Sequence, residues 1–235
     1  MSKIIIIFLF MINQSLALKL NSKANKKYLL ELYTSESCSS CPAAEKWLNS
    51  FRESDLLWKK VIPLEFHVDY WNHLNWKDPF SKRVFTQRQY NYNKVLKSGV
   101  YTPQIISNGN NNRYWRFRKP RFDEEDSSYV LIVDFDEVKG VAKVQINKGE
   151  DLTCYGALMK NTEVRNITSG ENSGRKLIHE FVVINLRSSK MESDRSLNTC
   201  QLQFDKKTLE KSKSFAFWVS DSKTLKVLQA VGADF

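Results

Sequence analysis

The sequence predicts an α/β domain followed by an antiparallel β domain of sandwich type. The first half alternates strand-like and helix-like apolar patterns. Beyond about residue 129, the apolar runs are short and separated by turn residues, which is typical of antiparallel sheets. The 235 residues fit one or two domains, and an apolar fraction of 42% is enough to bury a core. We place the domains at 18–125 and 126–235, with the boundary within 121–128.

Composition and charge exclude several classes of protein. The apolar fraction and the 12% aromatic content argue against a disordered chain. Four cysteines are too few for a small scaffold held together by disulfides. The formal net charge of +10 is compatible with nucleic acid, an anionic surface or an acidic partner, and it selects none of them.

The N-terminus has the features of a secretory signal peptide, which we place at residues 1–17. Lys3 precedes the nine apolar residues Ile4–Ile12, and Ser15-Leu16-Ala17 supplies small residues for cleavage. Nine apolar residues are fewer than the roughly 20 that span a bilayer, and a retained anchor is the alternative. Export predicts a periplasmic or secreted protein with no stable membrane insertion after signal cleavage. It also argues against nucleic acid as a partner and permits disulfides.

Strand and helix patterns alternate in the first half, with recognisable start and stop signals. Pro42 is tolerated in the first turn of a helix. Asp78-Pro79 is a helix start, and Asn108-Gly109 is a strong hairpin turn. The predicted elements are a strand over 27–33, a helix over 38–51, a strand over 61–68, a helix over about 80–96 and a strand over 104–107.

The second half contains seven short apolar runs that have the alternation or the turn boundaries of strands. Cys154 and Cys200 lie in or beside two of these runs. They could form a structural disulfide that closes a long loop, and buried reduced thiols are the alternative. The predicted strands are 129–135, 141–146, 153–159, 177–186, 201–204, 215–219 and 224–231.

The sharpest chemical feature is the C-x-x-C motif Cys38-Ser39-Ser40-Cys41, which lies between a predicted strand and a predicted helix. Unpaired N–H groups and the helix dipole at a helix N-terminus favour a thiolate. Cys38 is therefore the expected attacking sulfur, and Cys41, one turn into the helix, is the expected resolving sulfur. By itself the motif is also compatible with half a zinc site or a static surface disulfide.

Pro103 favours a redox function for this pair. It stands before the predicted strand over 104–107, where proteins of the thioredoxin type carry a cis-proline that faces the cysteines. Such a proline shapes a groove and leaves the backbone of the preceding residue, here Thr102, free to pair with a bound peptide. An ordinary proline that starts a strand is the alternative.

Several short strings of the sequence are informative in combination. They are Glu31–Pro42 (ELYTSESCSSCP), His67–Trp71 (HVDYW), Trp76–Phe80 (WKDPF), Thr86–Gln89 (TQRQ), Val100–Gln104 (VYTPQ) with Asn108-Gly109, and Gly170–Arg175 (GENSGR) with Leu177, His179 and Val182-Val183. Together they resemble a bacterial family of secreted thioredoxin-like proteins catalogued as domain of unknown function 1223, from Leu29 to about Leu186. The resemblance implies a thioredoxin-like fold and a redox pair at Cys38 and Cys41, and it implies no substrate. The family usually continues into a closing helix, but residues 110–126 show no helical stripe.

His67 and Asp69 lie at the end of the second predicted strand. Because they are two positions apart, their side chains would point to the same face of that strand. Either could accept a proton from a cysteine. His67 could instead join Cys38 and Cys41 in a Cys₂His site for copper or zinc. A third interpretation is a polar pair that holds the following aromatic loop.

The segment Arg113–Phe122 interleaves five basic residues with aromatic ones. In a cytoplasmic protein this pattern would suggest single-stranded nucleic acid. Behind a signal peptide, lipid headgroups or an anionic polymer fit better. The acidic run Asp123–Asp126 neutralises the segment locally, so a solvated pair of strands is the alternative.

These features predict an exported thiol–disulfide oxidoreductase that acts on client proteins with thiols or disulfides. Cys38, Cys41 and Pro103, assisted by His67 or Asp69, would perform the exchange without a bound cofactor. The Ser-Ser dipeptide of the motif has no histidine to stabilise the thiolate, so a reductant or a weak isomerase fits better than a strong oxidant. A metal-binding or metal-delivery protein that uses Cys38, Cys41 and His67 is one alternative, and a non-catalytic interaction module is the other.

Overall fold

The structure is a computed structural model that describes residues 17–117, 120–194 and 197–235. The predicted signal segment lies outside the described residues, apart from Ala17. Among the helices that the structure describes, none is long and apolar enough to cross a membrane.

The protein is a mixed α/β structure with mostly antiparallel sheets and few helices. The helices are α1 (Pro42–Asn49), α2 (Arg83–Leu96) and α3 (Lys206–Leu209), with a 3-10 helix at Ser50–Glu53. The strands are β1 (Leu18–Asn21), β2 (Tyr28–Thr34), β3 (Val61–His67), β4 (Gln104–Ser107), β5 (Asn110–Asn111), β6 (Leu131–Asp136), β7 (Val141–Ile146), β8 (Leu152–Lys160), β9 (Glu163–Asn166), β10 (Lys176–His179), β11 (Val182–Lys190), β12 (Glu192–Asp194), β13 (Leu197–Gln203), β14 (Ser214–Asp221) and β15 (Val227–Asp234).

One eight-stranded sheet contains strands from both halves of the chain, in the order β15-β14-β8-β11-β3-β2-β4-β5. Within it, β2 pairs parallel with β3 and antiparallel with β4. The two halves meet where β11 pairs parallel with β3, with Val182 opposite Glu65. The α/β and antiparallel parts are therefore joined through a shared sheet.

Helices α1 and α2 lie on opposite faces of this sheet. Glu31 and Tyr33 of β2 contact α2, whereas the neighbouring Thr34 contacts α1 through Glu45. Because successive side chains of a strand point to opposite faces, these contacts place the helices on different sides. The end of β2 leads directly into the cysteine loop and α1.

A second sheet, β1-β6-β7-β13-β12, forms a sandwich with the antiparallel end of the large sheet. Its core is rich in phenylalanine, with Phe135 in ring contact with Phe204, Phe215 and Phe217. A disulfide between Cys154 of β8 and Cys200 of β13 links the two sheets, with a Cα–Cα distance of 6.7 Å. Of the two alternatives for these cysteines, the structure has the disulfide.

Several predicted elements have other bounds in the structure, and for two of them the local reason is clear. Helix α2 begins at Arg83 instead of about residue 80, because Asp78 holds a turn by accepting hydrogen bonds from the N–H groups of Phe80 and Ser81. The predicted strand over 177–186 is split into β10 and β11, since Phe181 between them has a φ of 59°. Strand β10 consequently belongs to a two-stranded sheet with β9, whereas β11 belongs to the eight-stranded sheet.

Residues 112–117 and 120–130, which include the predicted domain boundary, contain no helix. Aromatic side chains of this segment cover the sheet instead. Trp115 lies 5.7 Å from Trp47 and Phe122 lies 5.6 Å from Phe51, measured between ring centroids. The closing helix that the family resemblance implies is thus replaced here by packed aromatic rings.

Candidate functional site

Cys38 and Cys41 form a disulfide immediately before α1. Their Cα atoms are 5.4 Å apart, and Pro42 is the first residue of the helix. Cys38 is 2% exposed and Cys41 is fully buried. The motif thus lies at a helix N-terminus, as the sequence predicts, but the helix begins at Pro42 instead of residue 38, so Cys41 caps the helix and is not one turn into it. The outer sulfur is almost closed to solvent.

The segment between β9 and β10 covers the cysteine loop. The Asn172 side-chain amide donates hydrogen bonds to the carbonyls of Glu36 (2.8 Å) and Cys38 (3.0 Å). Beside it, the Glu171 carboxylate accepts a hydrogen bond from the Ser39 N–H at 3.0 Å, and hydrogen bonds from Ser39 lower the pKa of Glu171. A loop of the antiparallel half therefore closes over the C-x-x-C motif of the first half.

A groove of about 260 Å³ borders the cysteine loop on another side. The Thr102–Pro103 peptide bond at this groove is cis. The Arg116 side chain donates a hydrogen bond to the Ser40 carbonyl at 3.2 Å, and Phe117 is 88% exposed. The groove is lined by Ser40, Tyr101, Thr102, Pro103, Arg113, Trp115, Arg116 and Phe117.

A cluster of buried ionisable side chains adjoins the cysteine loop, and we refer to it as the buried ionic cluster. It draws on β3, α1, β10 and the loops after β2 and β3. Glu36 stands two residues before Cys38, and the N–H of Glu45 donates to the Cys41 carbonyl at 3.1 Å. The members are Glu36, Glu45, Glu65, His67, Asp78 and His179, each at most 2% exposed.

His67 lies between two carboxylates of this cluster. Its Nδ1 is 2.7 Å from Asp78 Oδ2 and its Nε2 is 2.7 Å from Glu65 Oε1. Burial alone would lower the pKa of His67, but the charges and hydrogen bonds of Asp78 and Glu65 outweigh it. The pKa of His67 is consequently raised well above its usual value.

His179 shares Glu65 with His67. Its Nδ1 is 2.9 Å from Glu65 Oε1, and the two imidazole rings lie 5.0 Å apart. Its Nε2 is 3.3 Å from Glu36 Oε1, at an angle that does not form a hydrogen bond. Burial lowers the pKa of His179, but the contacts with Glu36 and Glu65 outweigh it and raise the pKa to about 10.

The pKa values of the carboxylates in the cluster are shifted in different directions. Burial, together with the charge of Glu65, raises the pKa of Glu45 to about 7. Burial also acts to raise the pKa values of Glu65 and Asp78, but their histidine partners outweigh it and lower both. The cluster therefore holds negative charge at Glu65 and Asp78 and favours a proton on Glu45.

A second buried network lies on the opposite face of β2. The Arg88 guanidinium of α2 donates to both carboxylate oxygens of Glu31, at 2.6 and 3.0 Å. It also lies 4.6 Å from the ring centroid of Tyr155 and 5.1 Å from that of Trp218. Strands from the antiparallel half therefore complete the surroundings of this ion pair.

Asp69 has a different environment from that of His67. Its carboxylate accepts a hydrogen bond from the Thr86 hydroxyl at 2.5 Å, and its N–H donates to the same hydroxyl at 3.0 Å. These bonds hold the loop after β3 against α2. Among the hydrogen bonds of the described residues, none joins Asp69 to His67 or to the cysteines.

Of the predicted site residues, Cys38, Cys41 and Pro103 lie around the cysteine loop and its groove. A site of Cys38, Cys41 and His67 would need two free thiols. In the structure the two sulfurs are bonded to each other. This geometry offers no support for that set of ligands.

Sequence reasoning did not single out the carboxylates of the buried ionic cluster, nor Asn172. A signal was present for Glu65, because a charged residue within the apolar run VIPLEFHV is unusual in a buried strand. The positions of Glu36, Glu45 and His179 carry no such signal, since only the folded chain brings their three segments together.

Comparison with known proteins identifies the family. The family described as "Protein of unknown function (DUF1223)" matches residues 29–220. The fold is similar to the crystal structure of a protein from Agrobacterium tumefaciens, with a TM-score of 0.63 and 22% identity over 88% of this chain and 93% of that one. It is also similar to HBP35 of Porphyromonas gingivalis, with a TM-score of 0.59 and 12% identity over 90% and 76% of the respective chains. No curated protein matches the sequence. Since the family match covers most of the chain, the protein belongs to the DUF1223 family.

Proposed function

We propose that the protein performs thiol–disulfide exchange on exported client proteins through Cys38 and Cys41. The observation that carries the proposal is a disulfide at the N-terminus of α1, beside a groove lined by Ser40 and Pro103. A helix N-terminus favours the thiolate that exchange requires. The groove provides a place where an extended client segment can approach the pair.

The proposal includes a thioredoxin-like arrangement of the first half. Its elements follow in the order β2-α1-β3-α2-β4-β5, and the four strands are arranged as β3-β2-β4-β5. One parallel pair, two antiparallel pairs and a helix on each face support the fold that the family resemblance implies. The proline at the head of β4 is at the expected position as well.

The chemistry can be written for the reducing direction, which the Ser-Ser dipeptide favours. The Cys38 thiolate attacks one sulfur of a client disulfide, and the other client sulfur leaves as a thiolate that takes up a proton. The Cys41 thiolate then attacks Cys38 Sγ, which releases the second client thiol and restores the Cys38–Cys41 disulfide. Two electrons pass to the client, and a dithiol donor must reduce the pair again.

Export is part of the proposal. The chain holds two disulfides, Cys38–Cys41 and Cys154–Cys200, and disulfides persist in oxidising compartments. The second of these links two sheets within a buried core, as expected of a structural bond. We therefore expect the clients to be proteins of the periplasm or the cell exterior.

A trapping experiment tests the exchange. Cys41→Ser removes the resolving sulfur and leaves Cys38 as a free thiol. The mixed disulfide between Cys38 and a disulfide-bonded model peptide should therefore accumulate and be visible by mass spectrometry. The matched control, Cys38→Ser, should form no adduct. Absence of adduct from Cys41→Ser, or equal adduct from both variants, would refute the proposal.

The interaction-module alternative draws on one observation. Cys38 is 2% exposed and lies beneath the segment that carries Asn172, so the disulfide has the burial of a structural bond. The two functions differ in how easily the pair is reduced. A disulfide with a purely structural role would have a reduction potential below about −300 mV.

A further inference from the structure

Three side chains of the buried ionic cluster are arranged as metal ligands. Glu65 and His67 are two positions apart on β3 and therefore share a face, and His179 is the last residue of β10. One donor atom from each residue lies within 4.8 Å of the other two. All three side chains are fully buried.

Two donor atoms of this group are left without a hydrogen-bond partner among the described residues. They are Glu65 Oε2 and His179 Nε2. Native structures rarely leave two buried polar atoms without partners in one place. Because His179 Nε2 lies 3.3 Å from Glu36 Oε1, the capacity for a cation is at the Glu65 carboxylate.

Each histidine is also oriented as metal-bound histidines usually are. One nitrogen of each ring faces Glu65, while the other faces a further carboxylate. For His67 that carboxylate is Asp78 at 2.7 Å, and for His179 it is Glu36 at 3.3 Å. Carboxylates in this outer position fix the ring and strengthen its binding to a metal.

Charge and ligand chemistry favour a divalent cation. Glu45, Glu65 and Asp78 surround the two histidines in a buried space, whereas Glu36 is paired with Arg165 at 3.2 Å. A divalent cation would take the place of the protons between the histidines and Glu65. Glu45 can supply a fourth ligand, because its Oε2 is 3.8 Å from His179 Nδ1. Imidazole nitrogens and carboxylate oxygens are ligands that zinc takes in a four-coordinate site.

We propose that Glu65, His67 and His179 bind one zinc ion, with Glu45 as the fourth ligand. The ion would join β3 and α1 of the first half to β10 of the second half. It would thus fix the loop that carries Asn172 over the cysteine loop. The site uses no cysteine, so it exists whether the Cys38–Cys41 pair is oxidised or reduced.

The test uses the full mature chain with both disulfides closed. After dialysis against a chelator, isothermal titration with zinc chloride should give one equivalent bound per chain, together with a rise in melting temperature. Asp78→Asn should weaken binding about 10- to 100-fold. Glu65→Gln and His179→Gln should abolish it, and each variant is checked for its fold by circular dichroism.

Two controls separate this site from other sources of binding. His73→Ala removes an exposed histidine outside the cluster, and Cys38→Ser with Cys41→Ser removes the thiols; both should bind zinc as the wild type does. If the ligand variants do not fold, cobalt(II) bound to the wild type keeps the proposal testable. A cobalt spectrum without thiolate charge-transfer bands supports the site. Thiolate bands, or no stoichiometric zinc binding to the oxidised wild type, would overturn it.

Discussion

Asn172 is the side chain that closes the cysteine loop to solvent. It is fully buried, and its amide bridges the carbonyls on either side of Ser37. Together with the hydrogen bond from the Ser39 N–H to Glu171, these two bonds hold the segment over the cysteine loop. Access to Cys38 therefore depends on a residue from the other half of the chain.

Replacing this side chain should expose the disulfide. Asn172→Ala removes two hydrogen bonds worth about 1–3 kcal/mol together, so the pair should be reduced by dithiothreitol about tenfold faster or more. The measurement is the reduction rate followed by thiol alkylation and mass spectrometry. Asn198→Ala is the matched control. Asn198 is a buried asparagine on β13 of the second sheet, and its side chain donates to the Gly149 carbonyl. Equal rates in the two variants would contradict the role of Asn172.

The ion pair of Glu31 and Arg88 makes a prediction about stability. Arg88→Met leaves the Glu31 carboxylate buried without its partner, which should lower the free energy of unfolding by about 3–5 kcal/mol. The double variant Glu31→Gln with Arg88→Met removes both charges, keeps an oxygen that can accept from the buried Tyr33 and Tyr92 hydroxyls, and should lose less. Urea unfolding measures both values. If the double variant is as unstable as the single one, packing around Arg88 outweighs its charge.

At the scale of residues, sequence reasoning reached the parts of the site that stand in local motifs. Cys38 and Cys41 were identifiable from their spacing, and Pro103 from its place before a strand. Glu45 and His179 were not, because they are 134 positions apart and meet only through the packing of α1 against β10. Long-range charge clusters of this kind leave no periodic pattern in a sequence.

Among the elements, the turn between β4 and β5 is the clearest local prediction that the structure confirms. Asn108 and Gly109 both have positive φ, at 46° and 83°, as a two-residue hairpin turn requires. The turn also packs against the turn between β14 and β15. Gly109 is therefore needed for its conformation and for its small size.

Gly109 and Gly174 have nearly the same φ, so together they separate the effect of backbone conformation from the effect of size. At Gly109 a Cβ atom would lie 2.6 Å from the Leu225 carbonyl oxygen, whereas at Gly174 (φ +81°) it would meet nothing within 4 Å. Gly174→Ala should cost about 1–2 kcal/mol for the left-handed conformation alone. Gly109→Ala should cost at least about 1 kcal/mol more because backbone must move. Chemical denaturation gives both values, and equal losses would contradict the close approach.

Element boundaries were predictable where residues with a strong turn preference mark them. They were not predictable where tertiary contacts determine where an element ends. The strands over 104–107 and 141–146 were predicted with their observed bounds. The split at Phe181 was not, since nothing in the local pattern requires a positive φ there. Strands β1 and β9 are short and half exposed, and β12 is short and exposed throughout, so their pairing partners define them more than their sequences do.

For the whole molecule, the antiparallel half forms a sandwich held by a disulfide between its sheets. Removing that bond in Cys154→Ala with Cys200→Ala should lower the free energy of unfolding by about 2–4 kcal/mol. The double variant should keep the reduction potential of Cys38–Cys41, because the two bonds lie in separate parts of the structure. Thermal unfolding monitored by circular dichroism measures the loss. An unchanged melting temperature would show that the bond adds nothing to stability.

The sequence predicted two structural halves but not how they are connected. The eight-stranded sheet continues from one half to the other through a single parallel contact between β11 and β3. The antiparallel half also supplies the loop over the cysteines and His179 of the buried ionic cluster. These contacts give the second half a role at the cysteine site, which composition and periodicity could not indicate.

The reduction potential of the Cys38–Cys41 pair tests the central claim most directly. It can be measured by equilibrating the protein in glutathione or dithiothreitol redox buffers and quantifying the alkylated peptides that contain these two cysteines. A thiol–disulfide exchange protein should give a value between about −180 and −270 mV. A value below about −300 mV, in the range of structural disulfides, would contradict the proposed function.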